Sequence, residues 1–184
     1  MARLRPLRTK EEVPAEGHAA FDSIVASRGS MPGPFAVMMH APEVAGRAAH
    51  LGAYLRFESS LPPQVQELAI ITATREVDCV PEWSGHVNAA RRVGVSEAAI
   101  TAVGTFADLG GLPPDEALIV RFTRELMGKH RVSAEAYEAV RAKFGERGVV
   151  ELAATAGYYG LVASVVNAAE LEPSTNANPL PPRP

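Results

Sequence analysis

The sequence predicts an all-α protein that forms a single domain, and three observations lead to that prediction. The chain has 184 residues, of which 47% are hydrophobic and only 6% aromatic, a composition typical of packed helices. Apolar residues recur every three or four positions in segment after segment. Alternation of apolar and polar residues over five or more positions is absent, and no Asn-Gly hairpin turn occurs.

The two ends of the chain differ from the rest in composition. Residues 1–13 are charged and contain proline, which predicts an extended N-terminal arm. Residues 14–171 carry the helical periodicity and form the predicted domain. Residues 172–184 are rich in proline and asparagine, so we expect a tail that is either disordered or lies on a neighbouring chain.

Proline and glycine delimit the predicted helices of the first half. A helix is predicted over residues 18–27, followed by a Gly- and Pro-rich loop over 28–34. A short apolar helix over 35–40 ends before a proline, and a longer helix covers 42–59. Two prolines then open the helix of residues 64–77, because proline fits the first helical turn.

The second half begins with a helix whose first turn holds Pro81 and whose end is marked by Gly94. Asp78, just upstream of that helix, is predicted to cap it. Ser96 and Ser133 each precede a further helical segment and are predicted to cap it. The remaining predicted helices cover residues 96–107, 115–128, 133–145 and 148–171.

Composition and motifs exclude several classes of function. The formal net charge of −3 gives no indication of a nucleic-acid partner. The one cysteine cannot form an internal disulfide, which favours a reducing compartment. The N-terminus lacks the apolar core of a signal peptide, and no apolar run reaches the ~20 residues that a membrane span needs. We therefore expect a cytoplasmic protein without membrane association.

Four residues that can carry chemistry cluster where two predicted helices meet. Glu67 precedes Cys79 by twelve residues, Glu82 follows Cys79 by three, and His86 follows Glu82 by four. Glu82 and His86 therefore share one helix face, and Cys79 lies beside a helix N-terminus, where the local field favours a thiolate. Glu67 shares its helix face with apolar residues, so its carboxylate needs a partner or must reach solvent.

Each of these residues also has a simpler interpretation. Glu82 and His86 could form a solvated helix pair, Cys79 could be a small buried apolar residue, and Glu67 could lie at the surface. A metal ion would need all four side chains, since the sequence has no His-x-x-x-His pair, so no metal and no cofactor are predicted.

The spacing of these four residues resembles the motif of the carboxymuconolactone decarboxylase and alkyl hydroperoxidase D superfamily. In its hydroperoxidase branch, a glutamate is followed twelve residues later by Cys-x-x-Cys, with a histidine four residues after the second cysteine. This chain matches with Glu67, Cys79 and His86, and has Glu82 in place of the second cysteine. The run from Glu82 to His86 is similar to the Glu-Trp-x-x-His version of decarboxylase-like members. Weaker similarity occurs at 31–35, 40–43, Tyr158, Tyr159 and Asn167, and the resemblance as a whole covers most of residues 20–170.

The resemblance implies an alkyl hydroperoxidase D-like helical array and a homo-oligomer, either a trimer or a hexamer. It also implies a cofactor-independent lyase or isomerase that acts on a small organic acid or lactone. In that hypothesis His86 is the general acid and base, Glu67 orients and polarises His86, and Glu82 is a second proton-transfer group or an electrostatic partner.

Four further residues are predicted to bind the substrate. Trp83 belongs to the motif, and His40 lies in a segment that resembles the family. Arg91 or Arg92 could anchor a substrate carboxylate. Their position in the last turn of a helix, where the helix dipole favours a positive charge, already accounts for both arginines. Tyr158 could place a hydroxyl in a pocket, or pack in a subunit contact.

Two other functions remain open from the sequence. Cys79 could act as the nucleophile of a one-cysteine peroxidase of the peroxiredoxin type, or as a redox sensor, with an external thiol resolving its sulfenic acid. Alternatively, the protein could be a non-catalytic helical oligomer that binds a small molecule or a partner, with the corner kept as a folding element.

Overall fold

The computed structural model describes residues 2–173 and 178–184, and no strand occurs among them. The prediction of an all-α fold is therefore confirmed. The helices are α1 (His18–Arg28), α2 (Gly33–Met38), α3 (Pro42–Ala53), α4 (Pro63–Glu76), α5 (Val80–Arg92), α6 (Glu97–Thr105), α7 (Pro114–Lys129) and α8 (Ala134–Ala168). Short 3-10 helices cover Lys10–Glu12 and Ala15–Gly17, and a π-helical turn, Tyr54–Glu58, continues α3.

Helix α4 is the centre of the fold. It packs against α5, α6, α7 and α8, and every residue from 66 to 75 is buried. One apolar cluster joins α4 to α1, α2, α3 and the second half of α8, and another joins it to α5, α6, α7 and the middle of α8. A polar side chain on α4, such as that of Glu67, is therefore carried into the interior and needs a partner there.

Two of the three predicted N-caps are present. The hydroxyls of Ser96 and Ser133 accept hydrogen bonds from backbone N–H groups three residues later, at 3.1 and 3.3 Å. Asp78 does not cap α5, whose N-cap is Cys79. Asp78 adopts a left-handed conformation with φ of 49°, and its carboxylate pairs instead with the buried guanidinium of Arg75.

Both chain ends pack on the domain where the structure describes them. In the arm, Leu7 and Val13 are buried in the core. The described part of the predicted tail consists of residues 172–173 and 178–184, and its Arg183 pairs with Asp78 of the same chain at 2.6 Å. The rest of the tail prediction, over 174–177, falls outside the described residues.

Helix α8 has two parts. Gly145 interrupts it with φ 69° and ψ 179°. This break agrees with the prediction of two separate helices, over residues 133–145 and 148–171. By length and composition alone α8 could cross a membrane, although the sequence indicated no apolar run long enough to do so. More than half of its apolar window is buried against other helices, as in the core helix of a globular fold.

Replacement of Gly145 by alanine tests this interruption. The backbone there has a conformation that is almost restricted to glycine, so Gly145→Ala should lower the free energy of unfolding by about 1–3 kcal/mol. Gly157→Ala is the matched control, because Gly157 is helical and a Cβ atom there meets open space. Urea denaturation should separate the two variants, and an unchanged midpoint for Gly145→Ala would contradict the described backbone.

Candidate active site

Helices α4 and α5 bring Glu67 and His86 into direct contact. His86 Nδ1 lies 2.7 Å from Glu67 Oε2, and both residues are largely buried. Because a carboxylate only accepts hydrogen bonds, Nδ1 is the donor and the neutral ring keeps its lone pair on Nε2. That nitrogen lies 3.7 Å from Oε2 of Glu82, one helical turn earlier in α5. Three of the four residues of the predicted cluster therefore meet.

His86 and Glu82 form part of the wall of a cavity of about 470 Å³. Glu67 does not line the cavity but contacts His86, which does. The cavity is bordered by helices α1, α2, α5 and α8, by the loop before α2 and by the π-helical turn. Its lining consists of Ser27, Arg28, Pro32, Pro34, Phe35, Arg56, Phe57, Glu82, His86, Tyr158, Tyr159 and Val162.

Two arginines supply positive charge to this cavity. Arg56 lies 3.7 Å from Oε1 of Glu67, the carboxylate oxygen that His86 does not use. Arg28 donates to the carbonyl oxygen of Ala49 at 3.0 Å and stacks over the Phe35 ring. Guanidinium groups are well suited to bind a carboxylate, so both could hold an anionic ligand next to His86.

Two adjacent tyrosines of α8 form the aromatic side of the cavity. Tyr159 packs edge-on against the His86 ring, with centroids 4.9 Å apart, and Tyr158 packs edge-on against Tyr159. Burial raises the pKa of Tyr158 to about 12 and raises that of Tyr159 well above its ordinary value. Both hydroxyls are therefore neutral at physiological pH and available as hydrogen-bond donors.

Glu82 and Glu67 lie in different environments although both are close to His86. Burial raises the pKa of the Glu82 carboxyl, and the neighbouring His86 and Arg56 oppose only part of that rise. Glu67 lies 2.7 Å from His86 Nδ1 and 3.7 Å from Arg56. The contact of Glu82 with the imidazole, at Nε2, is longer, at 3.7 Å. Two acidic groups in unlike environments are a common arrangement for acid–base work, because one can hold a proton while the other is ionised.

Cys79 does not take part in this arrangement. Its side chain is buried in an apolar cluster and does not line the cavity. Burial raises the pKa of the thiol to about 12, and this effect outweighs the hydrogen bond from the backbone of Glu82. The expectation that the helix N-terminus favours a thiolate at Cys79 is therefore wrong.

Three of the four predicted substrate-binding residues do not line the cavity. His40 is exposed, and its Nε2 lies 2.9 Å from the backbone carbonyl oxygen of Arg5. Arg91 is exposed and bound to Glu97 at 2.7 Å, as its place near the end of α5 favours. Trp83 is buried in the apolar cluster that joins α4 to α5, α6 and α7, and it does not line the cavity. Only Tyr158 lines the cavity.

Among the lining residues that were not predicted to belong to the site are two charged ones, Arg28 and Arg56, and two aromatic ones, Phe35 and Phe57. Arg28 lies in a predicted loop and Arg56 in a predicted helix, so neither had a spacing that linked it to Glu67 or His86. Among residues 2–173 and 178–184, no group of three or more His, Cys, Asp or Glu side chains is arranged to hold a metal ion.

Residues 42–125 match the model of the carboxymuconolactone decarboxylase family. This range contains Glu67, Cys79, Glu82 and His86, so the resemblance inferred from their spacing is confirmed for this part of the chain. No curated protein sequence matches the chain significantly.

Solved structures with the same fold support the architecture. One is described as an alkylhydroperoxidase AhpD core, a peroxidase-related protein from Ralstonia eutropha JMP134. It is 17% identical with a TM-score of 0.76 and covers 95% of this chain and 93% of its own. The debrominase Bmp8 is 14% identical with a TM-score of 0.72, covering 93% and 91%. A cysteine-to-alanine variant of Bmp8 in complex with 2,3,4-tribromopyrrole is also 14% identical, with a TM-score of 0.73 and coverage of 94% and 92%. At these identities the similarity establishes an AhpD-like fold.

Alkylation of Cys79 tests whether the thiol is enclosed. Because the side chain is buried and its thiol has a pKa of about 12, iodoacetamide at pH 8 should label Cys79 only after unfolding. Hydroperoxide should likewise leave the native thiol unchanged, as measured by intact mass. The same protein in denaturant is the control, and rapid labelling or sulfenic acid in the native state would contradict this burial.

Glu82→Gln tests the raised pKa of Glu82. A raised folded-state pKa means that this carboxyl contributes stability below its ordinary pKa, and that the contribution is lost as pH rises through the folded-state value. Glu82→Gln stays neutral and should therefore unfold at a higher temperature than the wild type at pH 7, with no difference near pH 4. The exposed Glu16→Gln is the control. If Glu82→Gln were less stable than the wild type at pH 7, the ionised Glu82 carboxylate would not destabilise the folded protein.

Proposed function

We propose that this protein is a cofactor-independent enzyme of the decarboxylase-like type, which performs acid–base chemistry on a small organic acid or lactone in the 470 Å³ cavity. The observation that carries the proposal is the hydrogen bond between Glu67 and His86 at the cavity wall. A buried carboxylate that holds Nδ1–H directs the basic Nε2 into a space where a ligand fits, and this is the geometry of a general base.

The side chains around the cavity would have different roles in such a reaction. Arg28 and Arg56 would bind a substrate carboxylate and orient the molecule. His86 Nε2 and Glu82 Oε2, which lie 3.7 Å apart, would hold the proton to be transferred. If CO2 is lost, the electron pair of the broken C–C bond stays on carbon, and that carbon takes up the proton. Tyr158 and Tyr159, both neutral, would donate hydrogen bonds to a developing oxyanion.

The same geometry bears on the other two candidate functions. A peroxidase needs a reachable thiolate, whereas Cys79 is enclosed and outside the cavity lining. The non-catalytic alternative would be favoured if Glu67 and His86 pointed apart or if no void lay beside them, whereas the two side chains contact each other next to the cavity. Acid–base catalysis is therefore the function that these side chains support best. The homo-oligomer and the cytoplasmic location stay predictions from the sequence.

Turnover of unsaturated carboxylic acids and carboxylated lactones, followed by CO2 release and by isomer analysis, tests the proposal. His86→Ala should lower kcat by about 10²–10⁴-fold, because it removes the general acid–base group. Glu67→Gln should also lower kcat, because the amide can present an N–H group to Nδ1 and favour the other tautomer.

Glu116→Gln is the matched control, since Glu116 is equally buried but bonds to Ser96 in the other half of the molecule. This variant should keep wild-type turnover. Full activity in His86→Ala or Glu67→Gln, or no turnover of any such substrate by the wild type, would contradict the proposal.

A further inference from the structure

Arg56 reaches the site from an irregular piece of helix. The chain leaves α3 through the π-helical turn Tyr54–Glu58, closed by a hydrogen bond of 2.9 Å from the Ser59 N–H to the Tyr54 carbonyl oxygen. Such turns are rare and frequently occur at functional sites, where they redirect a side chain. Here Arg56 lines the cavity and lies 3.7 Å from Glu67 Oε1. The shape of this turn therefore decides where the guanidinium lies.

A buried carboxylate on α8 holds both ends of this turn. Glu151 Oε1 accepts a hydrogen bond of 2.6 Å from the Tyr54 hydroxyl, at the first residue of the turn. Glu151 Oε2 accepts three more, just after the turn: from the Ser59 hydroxyl at 3.1 Å, the Ser60 N–H at 2.9 Å and the Ser60 hydroxyl at 2.6 Å. A fifth bond comes from Arg147 Nε at 2.9 Å.

These hydrogen-bond donors keep the Glu151 carboxyl in its ionised form. Burial by itself would raise the pKa of the carboxyl, but the hydrogen bonds from Ser60, Tyr54 and Arg147 outweigh it and lower the pKa to about 2. The group is therefore ionised at every pH at which the protein would work. It does not line the cavity, so it has no contact with a bound substrate. An ionised buried side chain that binds one irregular turn at both ends is suited to fixing geometry.

We propose that Glu151 is a positioning residue of the active site: by tying both ends of the π-helical turn to α8, it holds Arg56 against Glu67 and so determines how Glu67 is shared between Arg56 and His86. Its catalytic significance rests on the proposed function, but the geometric claim does not. Loss of Glu151 would release the turn, withdraw Arg56 from Glu67 and leave the Glu67 carboxylate to His86 alone.

Proton NMR of the His86 Nδ1–H group tests this proposal without any substrate. A Glu67 carboxylate that is bonded to His86 alone is a stronger hydrogen-bond acceptor than one that also contacts Arg56. The chemical shift of the His86 Nδ1 proton should therefore move downfield in Glu151→Gln and in Arg56→Ala. Glu116→Gln is the matched control, because it removes an equally buried, serine-bonded carboxylate that is remote from His86 and should leave the signal unchanged.

The double variant Glu151→Gln/Arg56→Ala separates a positioning role from a merely structural one. If Glu151 acts through Arg56, the double variant should give the Nδ1 shift of Arg56→Ala alone. An unshifted signal in Glu151→Gln, additive shifts in the double variant, or a wild type without this signal would each overturn the proposal.

Tyr54→Phe serves if Glu151→Gln does not fold, since it removes one of the five hydrogen bonds and keeps the ring. The same downfield direction is expected, with a smaller shift, and an unmoved signal would again overturn the proposal. Absence of turnover in the wild type would contradict the proposed function while leaving this result intact.

Discussion

The site depends on one hydrogen bond, the 2.7 Å contact between Glu67 on α4 and His86 on α5. Glu67 is buried because α4 is the central helix of the fold, and an unpaired carboxylate at such a position would destabilise the protein. His86 on one side and Arg56 on the other satisfy it. The requirement for partners thus fixes the imidazole tautomer, and that tautomer directs Nε2 toward the cavity and toward Glu82.

The sequence was sufficient to predict the helices and the meeting of Glu67, Glu82 and His86. The spacing of four residues between Glu82 and His86 places them on one helix face in any α-helix, and a chain reversal after residue 77 was enough to bring Glu67 near. Single side chains were harder to place. Cys79, the N-cap of α5, and Trp83, in its first turn, belong to the same motif, yet both are buried in apolar clusters.

The residues that the sequence did not reveal come from segments without a regular period. Arg56 faces the cavity because a π-helical turn alters the end of α3, and that turn depends on a hydrogen-bonded carboxylate 95 residues later in the chain, Glu151. No local pattern encodes such a contact. His40 shows the opposite error: similarity of sequence around it suggested a pocket, whereas tertiary packing leaves it at the surface against the backbone of Arg5. Interactions between segments that are distant in sequence decide where Arg56 and His40 lie, so these positions could be located only from the structure.

The most direct test of this account is the tautomer of His86 in solution, measured from the ¹⁵N chemical shifts and proton couplings of its ring nitrogens. If Glu67 holds the ring, the neutral imidazole carries its proton on Nδ1, bound to Glu67, with an unprotonated Nε2 facing the cavity. The opposite tautomer, with the proton on Nε2, would mean that Glu67 does not hold the ring, and the acid–base site described above would not exist in the folded protein.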